Sequence, residues 1–179
     1  MRAVFRMAMP FIISAVLLFA GGVGARIMPT TIEIPRSVQI EHQAIHAALV
    51  EATKATGPVG PAAAELARVL HPHFVREEEI ALPPLGLLAR LAAGTHIPDA
   101  ERAAVLEMSD TLKRELPQML EEHTRIRAAV GELRRAAIAA GDAAAEELAT
   151  ELALHAQTEE EVLYPAAILV GDVIRAKAR

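Results

Sequence analysis

One short pattern occurs twice in this chain and restricts its fold more than any other feature. His73 to Pro83 reads HFVREEEIALP and His155 to Pro165 reads HAQTEEEVLYP, so both copies hold a His, three spacers, three glutamates, apolar residues and a closing proline. The copies start 82 residues apart, and a second pair recurs at nearly that offset: IEHQAIHAALVE around His42 and EEHTRIRAAVGE around His123. Each half thus carries a lone His first and a His-x-x-x-Glu second. Two repeats of two elements predict four helices related by an approximate two-fold axis.

The composition suits that architecture. Hydrophobic residues make up 53% of the chain, aromatics only 3%, and Trp is absent, so the core is built from Ala, Leu, Val and Ile. That mixture favours helices packed closely on helices. A net charge of -5, with no Lys/Arg run beside stacking aromatics, argues against a nucleic-acid partner. The chain contains no Cys, which excludes disulfides, thiolate metal sites, iron-sulfur clusters and a lipid anchor on Cys. Any metal must be held by nitrogen and oxygen.

In order, residues 1–25 read as a signal peptide: Arg2 and Arg6, the apolar run FIISAVLLFA, then small residues, with Val23 and Ala25 fitting cleavage before Arg26. The alternative is an uncleaved membrane anchor, since Met7 to Ala25 is uncharged and just long enough to span a bilayer. Either places the rest outside the cytoplasm, in the periplasm or extracellular space. Residues 26–35 form a tether and 36–179 the helical domain. Ser37 is the expected N-cap of a first helix reaching to about Thr56, with Val38, His42, Ile45, His46 and Leu49 on one face. A second helix starts at Gly60-Pro61, turns Leu66, Val69, Leu70, His73, Phe74, Glu77 and Ile80 inward, and ends at Pro83-Pro84; Pro72 is a possible bend. Residues 85–116 supply an extra helical link, with a turn at Gly94 to Pro98 and a helical stretch from Asp99. A third core helix holds Met119, His123, Ile126, Val130 and Leu133. After a tight connection at Gly141-Asp142, a fourth carries Leu148, Leu152, His155, Glu159, Val162 and Leu163.

A His and a Glu four residues apart stack on one helix face, about 5 to 6 Å between Cβ atoms. One such helix gives a nitrogen to a metal and a carboxylate that reaches a neighbouring metal. Two facing each other, with the two lone-His helices, supply four His and two Glu to a two-metal centre. The bland alternatives are a hydrogen-bonded core His and a solvated Glu face, in which Arg76 pairs with Glu79. Yet Glu77 and Glu159 fall on the buried stripe, where several unpaired carboxylates and imidazoles are costly without a compensating ion.

On these residues the chain from about 36 to 170 resembles the hemerythrin-like (HHE cation-binding) domain family: EH at Glu41-His42, HFxxEE at His73 to Glu78, EH at Glu122-His123, and HxxxEEExLYP at His155 to Pro165. The resemblance implies an all-α, up-down-up-down four-helix bundle around a non-haem di-iron centre. It implies that His42 and His73 hold one iron, His123 and His155 the other, and that Glu77 and Glu159 bridge. Ferritin-like proteins use Glu-x-x-His pairs instead, and no His here has a Glu three residues before it.

The chain departs from the family's oxygen carriers at Arg127, where they have a second His on the third helix. The pseudo-symmetric residue on the first helix is His46. Either His46 supplies a fifth imidazole, leaving an open position on the His123/His155 iron facing Arg127, or it is a core His. Tyr164 is placed to donate a hydrogen bond near the metals, although Leu82 occupies its position in the other copy. His71 is read as structural and His96 as solvated.

The expected function is binding of a small diatomic ligand, dioxygen first, for carriage, storage or sensing. One alternative is a di-iron redox enzyme acting on peroxide, nitric oxide or dioxygen, which needs an electron route that a chain with no Cys, no Trp and one Tyr hardly offers. The other is metal buffering or a structural ion, since zinc or manganese also suit nitrogen and oxygen donors.

Overall fold

A computed structural model of the chain describes residues 32–177, so the signal or anchor segment and residues 26–31 of the tether lie outside the described residues. Among these, all regular structure is helical: α1 (Arg36–Ala52), α2 (Val59–Ile80), a 3-10 turn (Pro83–Leu87), α3 (Leu88–Ala92), α4 (Asp99–Ala140), α5 (Ala143–Thr158) and α6 (Tyr164–Lys177). Residues Glu159–Leu163 form a π-helical turn joining α5 to α6. No helix of the described residues is long and apolar enough to cross a membrane. The chain folds as a helical bundle in which α1 packs on α2 and α5, and α4 on α2, α5 and α6.

Several boundaries differ from expectation. Ser37 is not the N-cap of α1: the helix begins at Arg36 behind Pro35, whose extended backbone (ψ 131°) precedes the first helical bond, from Gln39 N–H to the Pro35 carbonyl. No side chain caps the start of the helix. The end of the tether is tied down, because Ile32 and Ile34 pack onto the apolar clusters. The helical stretch from Asp99 and the third core helix are one 42-residue helix that runs through Pro117. It ends as the sequence requires, with Gly141 left-handed (φ 66°) and the Asp142 side chain accepting from Ala145 N–H at 3.1 Å to start α5.

The core falls into three clusters. One gathers Ile45, Leu49, Leu66, Leu70, Leu133 and Leu152; a second gathers Val38, Ile80, Leu82, Met119 and Tyr164; a third, between α4 and α6, holds Leu87, Ile97, Val105, Val170 and Ile174. Along α1 and α4 the chain passes from the second cluster to the first. Along α2, and from α5 into α6, it passes the other way. His42, Glu77, His123, His155 and Glu159 lie between residues of the first two clusters in sequence, and His73 lies at the edge of the first, between Leu70 and Phe74.

The α4–α6 crossing is tight at Gly171. A Cβ there would stand 2.5 Å from Ser109 Cβ, and Ser109 Oγ donates to the Ala167 carbonyl at 2.9 Å. Gly171→Ala is therefore expected to destabilise the chain by about 1–3 kcal/mol through overpacking. Thermal denaturation checks this, and an unchanged midpoint would show that the helices can separate freely.

Candidate metal centre

Each inward side chain has a local cause. On α1, Val38, His42, Ile45 and Leu49 form the buried stripe, as expected. His46 does not join it: the residue is exposed, because at 100° per residue it stands about 70° off the stripe's centre. On α2, His73 and Glu77 are one turn apart among Leu70, Phe74 and Ile80. The α5–α6 junction does more than the periodicity indicates. Tyr164 N–H bonds to the Glu159 carbonyl five residues earlier, which adds a residue to the turn. Val162, expected inward, is exposed as a result, and Tyr164 is fully buried on the face of Glu159. The other copy shares the device, with Leu82 N–H bonding to the Glu77 carbonyl at 2.9 Å.

These side chains converge into two groups, His42/Glu77/His155/Glu159 and His73/Glu77/His123/Glu159, with one ligating atom per residue inside 4.8 Å in each. The pairing of histidines therefore differs from the family-based expectation. His42 is grouped with His155, and His73 with His123. Both carboxylates belong to both groups, as expected of bridges. His46 belongs to neither group, and the open position facing Arg127 loses its basis. Arg127 is largely exposed and pairs with Glu160. His71 and His96 are exposed, and Arg76 pairs with Glu79 at 2.9 Å as anticipated.

In the first group, His155 Nε2 lies 2.9 Å and His42 Nε2 3.6 Å from Glu159 Oε1. Despite that proximity, His42 Nε2, His155 Nε2, Glu77 Oε2 and Glu159 Oε1 are buried with no hydrogen bond of acceptable geometry. In the second group, His73 Nε2 and His123 Nε2 are 2.8 Å apart, His73 Nε2 is 3.2 Å from Glu77 Oε1, and His123 Nε2 is 3.4 Å from Glu159 Oε2. Orphaned lone pairs converging in a dry layer are costly, and a cation with nitrogen and oxygen ligands removes that cost. The donors present thus fit a pair of metal ions.

Electrostatics agree. Burial, then the neighbouring Glu159, pushes the Glu77 carboxyl up. Burial acts the same way on Glu159, but the imidazoles of His123, His155 and His42 that face it outweigh burial and hold that carboxyl well below the usual range. Burial opposes protonation of His73 and His155, yet Glu77 and Glu159 respectively prevail and raise each to about 9. Without metal, protons supply the positive charge that the two carboxylates demand; metal entry must displace them.

Sequence reasoning assigned no role to four further glutamates. Each imidazole turns its outer nitrogen to one of them: His42 Nδ1 to Glu78 at 3.3 Å, His73 Nδ1 to Glu122 at 2.9 Å, His123 Nδ1 to Glu160 at 2.8 Å and His155 Nδ1 to Glu41 at 3.1 Å. A donated Nδ1–H fixes the tautomer and aims Nε2 inward. The signal was present in the chain, for each of the four adjoins a cluster residue: Glu41 before His42, Glu78 after Glu77, Glu122 before His123, Glu160 after Glu159. Glu122 and Glu160 are 23% and 27% exposed against 52% for Glu78, so they are the stronger braces. Glu122→Ala is expected to weaken metal binding at the His73/His123 end by about 10–100-fold. Glu78→Ala should do less. Competition with a chelating dye ranks the two, and equal or reversed effects would contradict the ordering.

No curated protein and no solved structure matches the chain. His42, His73 and Glu77 join the site through geometry, outside the span that a family model covers. That model, the Hemerythrin HHE cation binding domain, matches residues 114–178, so the half of the repeat that supplies His123, His155 and Glu159 carries the hemerythrin HHE signature that its motifs indicated.

Proposed function

We propose that the protein is a non-haem di-iron protein that binds a small diatomic ligand, dioxygen first, for carriage, storage or sensing. The observation that carries this reading is the buried set of four His and two Glu, in which His42 Nε2, His155 Nε2, Glu77 Oε2 and Glu159 Oε1 have no hydrogen-bond partner. We read the bundle as up-down-up-down, on the alternating order in which the four long helices pass the two apolar clusters. Iron is chosen over zinc or manganese on the family likeness of residues 114–178.

Iron held here supplies the reversible electron transfer on which dioxygen binding depends. The chain's own residues do the rest. Glu77 and Glu159 hold the two ends together, the outer glutamates keep four imidazoles aimed, and the apolar layers exclude bulk water. The leader-like residues 1–25 place this activity outside the cytoplasm in our reading, and an uncleaved segment would keep it at the membrane.

The test is metal analysis and an ultraviolet-visible spectrum of the full chain, reduced without oxygen and then exposed to air. The expected result is two irons per chain and a charge-transfer band that appears with oxygen and reverses on its removal. An irreversible change would favour redox turnover. Tightly bound zinc with no response to oxygen would make the protein a metal buffer or a structural metal site.

A further inference from the structure

Tyr164 is where the two ends of the site cease to be equivalent. Its hydroxyl donates to Glu77 Oε1 and lies 3.2 Å from His123 Nε2 and 3.4 Å from His73 Nε2. All three neighbours are inward atoms of one group. Donors at right angles around an ion, with bonds of about 2.1 Å, stand about 3 Å from one another. The hydroxyl is at that separation from both imidazole nitrogens.

Resting on the two-metal reading of the site, we propose that the phenol oxygen of Tyr164 is a fifth ligand at the His73/His123 end, which leaves the His42/His155 end to take the small exogenous ligand. At that other end the adjoining ring is Phe74, stacked on His42 with centroids 4.2 Å apart and edge-on to His155 at 5.7 Å. Phenylalanine has no donor, so coordination positions there stay free. Access does not decide between the ends. A groove of about 370 Å³ reaches His73 beside Gln118 and Glu122, and one of about 360 Å³ reaches His42 beside Phe74 and Glu78.

A bound cation favours the phenolate over the phenol. The O–H bond breaks as the oxygen–metal bond forms, and the proton is released to solvent.

The chain has a single tyrosine and no Trp, so any tyrosinate signal belongs to Tyr164. The full chain loaded with ferric iron is expected to show a visible phenolate-to-iron charge-transfer band. Tyr164→Phe should lose it while retaining two irons per chain. Zinc, which is spectroscopically silent, should give the wild-type chain a phenolate difference band in the near ultraviolet; this readout does not depend on the variant folding. Two bound irons with no such band, a band that survives in Tyr164→Phe, or zinc binding without a phenolate signal would overturn the assignment and leave the two-metal site standing. Failure of the wild-type chain to bind either metal would overturn both.

Discussion

Replacing Glu159 by alanine is expected to empty both ends of the site, whereas replacing His42 by alanine empties one. Glu159 is the more connected carboxylate: Oε1 approaches His155 at 2.9 Å and His42 at 3.6 Å, while Oε2 approaches His123 at 3.4 Å. Without it, both ions lose a donor and the negative charge they share, so affinity should fall by more than the ~10–100-fold expected for losing an outer brace. His42 serves only the end it shares with His155. Metal content per chain after desalting separates the cases, with circular dichroism as the check on helix content. Two ions retained by Glu159→Ala would show that this carboxylate is not shared.

The second large effect is on stability. Metal ligated between buried carboxylates binds the folded chain and not the unfolded one, so its removal withdraws folding free energy. With free metal about 1,000-fold above its dissociation constant, the loss is about 4 kcal/mol. For a chain of 179 residues this corresponds to a fall in melting temperature on the order of 10 °C after chelation. Thermal melts with and without a chelator measure it. An unchanged midpoint would mean that the imidazole and carboxylate protons satisfy the layer as well as ions do.

The internal repeat made much of this legible. Four helices, the polar layer of four His and two Glu, and the sharing of Glu77 and Glu159 all follow from a pattern written twice at a nearly constant offset. What the sequence withheld was adjacency. Helix order along a chain does not say which histidines face each other, because each helix has more than one neighbour: α1 packs on both α2 and α5, and α4 on both α2 and α5. His46 was misplaced because a stripe read at three- and four-residue steps admits a residue at its margin, which the packed bundle then leaves in solvent. Val162 was misplaced because one residue of π-helix resets the phase, and nothing in α-helical periodicity announces it. Glu41, Glu78, Glu122 and Glu160 stood in the motifs without a role of their own, since a role in holding an imidazole is visible only once a second helix is alongside.

The most direct test of the two-metal centre is an X-ray absorption spectrum of the metal-loaded full chain. The shared positions of Glu77 and Glu159 predict nitrogen and oxygen ligands with a metal neighbour at on the order of 3.5 Å. A spectrum with no metal–metal shell, from a chain holding a single ion, would contradict it.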